Sequence, residues 1–387
     1  MKLTLIQSPL KPKIIMKKLI FTVLSLFSIT TLKAQESTTT TTEEKKNPLT
    51  FSGYVDTYFF GNLNNPASRS NLGASGFERV FDQKAGQFQV GLAQTKLTYS
   101  TDKVDGVIDL VFGNHADLAN YGNVVGRVSG STSTALAIKQ AYITWKATEK
   151  FSITAGQFGT HIGYEVIDAP VNFNYSLSNL FGNGPFYHTG LKATVATSAK
   201  SSLTLGVVNG IDTKDDNNDK LGVMGQFYIS PVDGWNVYIN WLGSDEGVTE
   251  KSFYSIFDLT TSYQITDKFL LGVNAAYGTQ DKLSWGGAAV YAQVAFTDKF
   301  GLGARYEYFD NKNGIRALLN RAGDGTSVNS FTLTGNVTLS ENLLFKPEFR
   351  LDSYAKSAAN LAQFEDSDGK FTKDSQSTFG AALIFKF

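Results

Sequence analysis

Near the C-terminus four charged residues, Lys346, Glu348, Arg350 and Asp352, alternate with an apolar set, Leu343, Phe345, Phe349 and Leu351. Successive side chains of a strand point to opposite faces, so the four charges share one face. That face cannot meet hydrocarbon, where a Lys or Arg costs about 2–4 kcal/mol near a bilayer midplane, so these charges are expected to line water. Arg305 and Glu307 repeat the pattern on an earlier segment, and His188 and Lys192 lie on the segment that follows the longest connection. Their chemistry is electrostatic: opposite charges on one wall brace it by pairing across a lumen, and a narrow aqueous path between low-dielectric walls lets them steer solutes as well.

That longest connection, Phe158 to Pro185 (FGTHIGYEVIDAPVNFNYSLSNLFGNGP), lacks Lys and Arg, carries the acids Glu165 and Asp168, and is apolar for a loop. Ile162, Tyr164, Val166, Ile167, Phe173, Tyr175, Leu177, Leu180 and Phe181 are too much apolar surface to leave in water. The segment is expected to fold into the lumen as a constriction bearing His161, Glu165 and Asp168, with the two acids opposite Arg305, Lys346 and Arg350. An external cap over the mouth is the alternative.

Enzymatic and metal chemistry lack a motif. The three histidines, His115, His161 and His188, lie in or beside loops with no GxSxG-type nucleophile, and no two of them stand at ligand spacing. The stretches DGT (324–326), DSDG (366–369) and TKDDNND (213–219) lack the twelve-position calcium-loop pattern and read as solvated turns. No catalytic residue, metal or cofactor is expected.

The elements that must position these charges are strands. From Thr50 to Phe387 the chain reads as about sixteen segments of roughly ten residues with period-two alternation. Facing is ambiguous in the second, fourth and fifth segments, so the number could be about 14 to 18 by the even-strand rule. Trp235, Val237, Ile239 and Trp241 alternate with Asn236, Tyr238 and Asn240, and Phe300, Leu302, Ala304, Tyr306 and Tyr308 with Gly301, Gly303, Arg305 and Glu307. A soluble sandwich would show the same alternation. Aromatic residues at strand ends favour a membrane barrel, because rings with polar tips suit the headgroup levels.

Seven short turns, among them TEKF (148–151) and TDKF (266–269 and 297–300), alternate with eight longer connections near 61–85, 113–134, 158–185, 209–219, 243–251, 279–282, 311–326 and 354–375. This is the loop pattern of an all-β, antiparallel, up-and-down transmembrane barrel with periplasmic turns and external loops. About sixteen strands enclose a water-filled lumen, whereas roughly eight are filled by side chains. The terminal strand places Phe379, Ala381, Leu383, Phe385 and Phe387 on one face.

The N-terminus agrees with export. Met16, Lys17 and Lys18 begin a positive region, Leu19–Leu32 is apolar and hydroxyl-rich, and Ala34 precedes a cleavage point before Gln35. Residues 1–34 are therefore expected to be an upstream extension plus signal peptide. The apolar run is short of the ~20 residues of an anchor helix. Residues 35–47 (QESTTTTTEEKKN) read as a disordered polar leader, and 48–387 as the barrel. The whole chain has 35 basic and 35 acidic residues; removing the six lysines of residues 1–34 leaves 29 against 35, a net of −6, which argues against a nucleic-acid partner. Cysteine is absent, so disulfides, thiolate sites and a lipidated cysteine are excluded.

FSGYVDTYFFGNLNNP (51–66), AGQFGTHIGYE (155–165) and NYS followed by GPFYHTG (174–176, 184–190) resemble the OmpL-like outer-membrane porins, or β-barrel porin type 2, and the resemblance spans nearly all of residues 50–387. It implies an outer-membrane barrel with porin activity and names no substrate. A terminal strand ending in Phe387 likewise resembles the assembly signal of such barrels. The resulting expectation is passive diffusion of small polar solutes across the cell outer membrane. The partners it brings are outer-membrane lipid and lipopolysaccharide, and the barrel assembly machinery through the Phe387 strand. Gly286, Ala288 and Ala292 hint at a homo-oligomer. The alternative is an adhesion or binding barrel that acts through its external loops.

Overall fold

The structure is a computed structural model, and it describes residues 48–387 except 120–123, 126–127, 130–133 and 358. The signal-peptide and leader readings of residues 1–47 lie outside the described residues. Sixteen strands close into one antiparallel barrel in chain order. They are β1 (Leu49–Asn62), β2 (Phe88–Ser100), β3 (Val104–Phe112), β4 (Ile138–Lys146), β5 (Phe151–Gly159), β6 (Tyr187–Ser198), β7 (Ser201–Val208) and β8 (Gly222–Ile229). There follow β9 (Trp235–Asp245), β10 (Phe253–Thr266), β11 (Phe269–Gln280), β12 (Leu283–Ala295), β13 (Phe300–Asn311), β14 (Thr326–Ser340), β15 (Leu343–Tyr354) and β16 (Ser375–Lys386).

Closure pairs Tyr54–Asn62 of β1 with Thr378–Lys386 of β16. Phe387 continues the ladder: its N–H donates to the Gly53 carbonyl at 3.0 Å, its own carbonyl accepts from the Gly53 N–H at 3.1 Å, and its ring lies 5.5 Å from that of Phe51. With no free edge every strand finds two partners, which is what lets strands cross a bilayer.

Alternation sorts the two faces. Along β13, Phe300, Tyr306 and Tyr308 are exposed while Gly301, Gly303, Arg305, Glu307 and Phe309 are buried. Exposed apolar residues outside and buried polar ones inside invert the arrangement of a soluble protein, as a barrel in lipid requires.

The seven short turns stand where the sequence places them. One connection does not: at 279–282, expected to be long, β11 and β12 are joined by Asp281 and Lys282 alone, with φ of 50° and 72°. Two positive φ angles mark a type I′ hairpin turn, whose twist matches that of the strands. The inner face also differs from expectation at the loop end, where Val208, Met224, Leu242, Ile256, Trp285, Phe309 and Val328 are buried together with Ile162, Leu180, Leu318 and Phe364 from the loops. These strand residues are apolar because they meet protein rather than channel water. Two short helices, α1 (Asn114–Ala119) and α2 (Asn179–Asn183), and two small ladders, Val124–Val125 with Val128–Ser129 and Phe364–Glu365 with Phe371–Lys373, belong to the connections.

Candidate functional site

The third connection, residues 160–186, reaches the inner faces of strands on several sides of the barrel. It bonds Asp56 of β1, Asp258 of β10, and the charged rows of β13 and β15. Those rows grip mainly its backbone. Glu348 accepts the N–H of Tyr175 at 2.6 Å and of Ser176 at 3.0 Å, and Glu307 accepts those of Asn179 at 2.9 Å and Leu180 at 2.7 Å. Arg350 donates to the Leu177 carbonyl at 2.7 Å and Arg305 to that of Ser176 at 2.7 Å, while Lys346 donates to the carbonyls of Ala169, at 2.9 Å, and Asn172.

Glu165 pairs with Arg305 and accepts the N–H of Ser178 at 2.8 Å, which ties the start of the segment to its middle. The Ser178 hydroxyl caps α2 by accepting from the Phe181 N–H at 3.0 Å. A buried backbone that makes no ladder needs partners for its peptide groups, and here ionised side chains supply them.

Two glycines of the wall are sockets for this segment. A Cβ at Gly303 would come within 3.1 Å of the Phe173 side chain, and one at Gly272 would overlap the Tyr164 ring. Tyr164 stacks on Tyr291 at 4.3 Å between ring centroids.

The expected residues of β13 and β15 thus come together with Glu165, but in a different environment from the one expected, while His161 and His188 stand beside each other at 5.7 Å between ring centroids, apart from that row. Arg305, Glu307, Lys346, Glu348, Arg350, Asp352 and His188 are all 2% exposed or less, so channel water does not reach them. Loop residues cover them, and the loop backbone meets much of the hydrogen-bonding capacity of Arg305, Glu307, Lys346, Glu348 and Arg350, although the Arg305 Nε is left without a partner among the described residues. Asp352 takes Arg350 at 2.9 Å and Arg79, from the first connection, at 2.8 Å. His188 meets the Thr160 hydroxyl at 2.9 Å, and Lys192 lies 4.2 Å over the Phe158 ring. His161 donates Nε2–H to the Trp241 carbonyl at 2.9 Å.

Asp168 departs from the expected pairing. It makes no ion pair with Arg305, Lys346 or Arg350 and pairs instead with Lys139, at the start of β4, while its Oδ1 accepts from Gln94 of β2 at 2.9 Å. From Asp168 a turn, in which the Val171 N–H donates to the Asp168 carbonyl at 3.0 Å, leads to Ala169 and Asn172, whose carbonyls Lys346 of β15 takes. Lys139 also faces Asp109 at 3.6 Å, and Gln94 and Gln140 donate to Asp109 at 3.2 and 3.1 Å.

This second cluster was missed in the sequence, as were Asp56, Asp258, Arg79 and Asp82. Asp56 and Asp258 did leave a signal, each being a lone acid on the inner register of a strand; Asp56 takes the Tyr175 hydroxyl and Asp258 the Gly163 N–H at 3.0 Å. Arg79 and Asp82 left none, since both sit in an irregular loop. Among the described residues no group of three His, Cys, Asp or Glu is placed to hold a metal ion.

The profile of the family described as "Putative beta-barrel porin-2, OmpL-like" matches residues 48–387. Among solved structures, the outer membrane channel DcaP of Acinetobacter baumannii is similar at TM-score 0.57 and 12% identity, over 88% of this chain and 97% of that one. OmpT of Vibrio cholerae gives 0.52 and 14% over 88% and 97%, and the anion-selective porin of Comamonas acidovorans 0.54 and 11% over 88% and 99%. At such identities these structures speak for the fold. A comparison with curated proteins finds no match. With its barrel, its third loop seated inside and its profile match over the whole folded chain, this protein belongs to the OmpL-like β-barrel porins of the outer membrane.

Proposed function

We propose that solutes pass along the wall formed by β2, β3 and β4, where the inserted segment meets it through Asp168, and not along the β13–β15 wall. One observation carries this reading. The Lys139 and Asp168 side chains keep 17% and 18% of their surface exposed and Lys146 and Asp105 keep 23% and 26%, against 0% and 4% for Arg305 and Glu165. Water that reaches a charge leaves room for a polar solute to follow it, and charges that face water set the local field.

The charged rows of β13 and β15 then have a different task, which is to hold the constriction at a fixed width. The partly exposed charges along this path are Lys96, Lys139, Lys146 and Lys386 against Asp105 and Asp168, a basic excess that favours anions. The similar Comamonas acidovorans porin carries that selectivity in its name. Export through residues 1–34, contact with lipopolysaccharide, delivery through the Phe387 strand and self-association through the Gly286, Ala288 and Ala292 face belong to the same reading. A trimer form of the similar Vibrio cholerae OmpT supports the last of these.

Reversal potentials in planar bilayers under a salt gradient test the path. Lys139→Gln is expected to move selectivity toward cations and Asp168→Asn toward anions. If both match the parent while Arg350→Ala shifts it, the path follows the other wall.

A further inference from the structure

Five of the seven short turns repeat one device. A Thr or Ser stands two positions before a lysine, and its hydroxyl accepts the lysine backbone N–H: Thr101 from Lys103 at 3.3 Å, Thr148 from Lys150 at 3.2 Å, Ser198 from Lys200 at 3.1 Å, Thr266 from Lys268 at 3.3 Å and Thr297 from Lys299 at 3.2 Å. In three of them the same hydroxyl also takes the next N–H, that of Val104, Phe269 or Phe300, at 3.0–3.1 Å. Each turn thereby has one backbone shape, and each of the five lysines is exposed.

The residue between hydroxyl and lysine is acidic in four of the five: Asp102, Glu149, Asp267 and Asp298, all exposed. The residue after the lysine is Phe151, Phe269 or Phe300 in three, on the outward register of its strand beside Val195, Val294 and Val337. Closing a turn requires only the hydroxyl and a tight backbone. It does not require an acid followed by a lysine, nor a ring at the rim behind them.

We propose that the turn end is a collar that binds zwitterionic aminophospholipid headgroups of the adjoining leaflet. The lysine ammonium meets the lipid phosphate and the neighbouring carboxylate meets the lipid ammonium. Charge complementarity selects this occupant. The outward Phe fixes the hydrocarbon boundary just behind three of these turns, so the lysine and the acid there stand at headgroup depth, and a side chain at that depth reaches phosphate without leaving water. A purely anionic ligand would be repelled by the four acids; a headgroup carrying both signs satisfies both. Lys200, whose turn has Ala199 in place of the acid, reaches Asp233 of the next turn at 2.9 Å, so there too the two signs stand together.

The test uses the full chain folded into vesicles of phosphatidylcholine with and without phosphatidylethanolamine of the same acyl chains, read as the temperature at which the barrel loses its heat-modifiable mobility. Added phosphatidylethanolamine is expected to raise that temperature by several degrees, because its ammonium donates hydrogen bonds that choline cannot. Changing the five lysines to Gln is expected to abolish the rise. Changing Asp102, Glu149, Asp267 and Asp298 to their amides is expected to do the same, while both variants keep the parent temperature in detergent. If the five-fold variant does not fold, Lys268→Gln with Lys299→Gln is expected to lose part of the rise. A rise that persists in these variants overturns the proposal, and so does an equal rise on adding inorganic phosphate to the detergent-folded protein, which would mark a simple anion site.

Discussion

Glu348, on the last strand but one, accepts the backbone N–H of Tyr175, 173 positions earlier, at 2.6 Å, and that of Ser176 at 3.0 Å. A carboxylate on the barrel wall thus terminates two peptide groups of the third connection that have no strand to pair with. The same relation recurs between Glu307 and the N–H groups of Asn179 and Leu180. The wall carboxylates thus hold the backbone of the inserted segment, and on the function proposed above this is what fixes the width of the lumen.

Glu348→Gln replaces one carboxylate oxygen by an amide that cannot accept. It is expected to cost about 1.5–3 kcal/mol, the usual value of a hydrogen bond to a charged group, and to loosen residues 169–177. Single-channel recordings should show a larger and noisier conductance, and limited proteolysis should open this segment.

Arg305 and Glu165 are buried together, so removing either alone strands a charge. Arg305→Met or Glu165→Met is expected to lose about 3–5 kcal/mol, and the double variant to recover much of it, since a buried pair replaced by apolar side chains is often neutral. Denaturant unfolding of all three, as a double-mutant cycle, measures the coupling. A loss in the double variant equal to the sum of the two singles would mean no coupling.

Gly272 leaves room for the Tyr164 ring. Gly272→Val is expected to displace that ring and cost about 1–3 kcal/mol, as overpacking does. The conductance should rise without a change in ion preference, because neither Gly272 nor Tyr164 carries charge.

Asp212, in the connection 209–221, is half-buried and accepts the N–H groups of Phe186 and Tyr187, the latter at 3.1 Å. Burial pushes its carboxyl up to about 7, although those N–H groups pull it down. A folded-state value above the unfolded one contributes stability at acid pH, complete below the unfolded carboxylate range and lost as pH rises through about 7. The protein is therefore expected to soften progressively from about pH 4, the ordinary carboxylate range, up to about pH 7 and to level off above it, where the third connection rejoins β6. Asp212→Asn should flatten the dependence. The temperature of the mobility shift, measured across that range, checks both.

Much of the architecture was legible in the sequence by itself. Period-two alternation with aromatic residues at strand ends carries the barrel, because lipid outside and protein or water inside demand opposite side chains at every step. The TEKF and TDKF turns mark hairpins through their hydroxyl residues, and the row Lys346, Glu348, Arg350 and Asp352 had to face inward whatever it met there. The apolar content of residues 158–185 required a packing partner.

The tertiary structure alone decided what that inner row touches. Strand register says which face a charge is on, but not which loop fills the space opposite. Arg350 meets the Leu177 carbonyl and Asp352 meets Arg79 only because two connections from distant parts of the chain enter the same lumen. Asp168 pairs with Lys139 from a loop turn that no periodicity encodes. A charge expected to face water becomes a buried anchor once a neighbouring backbone supplies the hydrogen bonds that water would otherwise make.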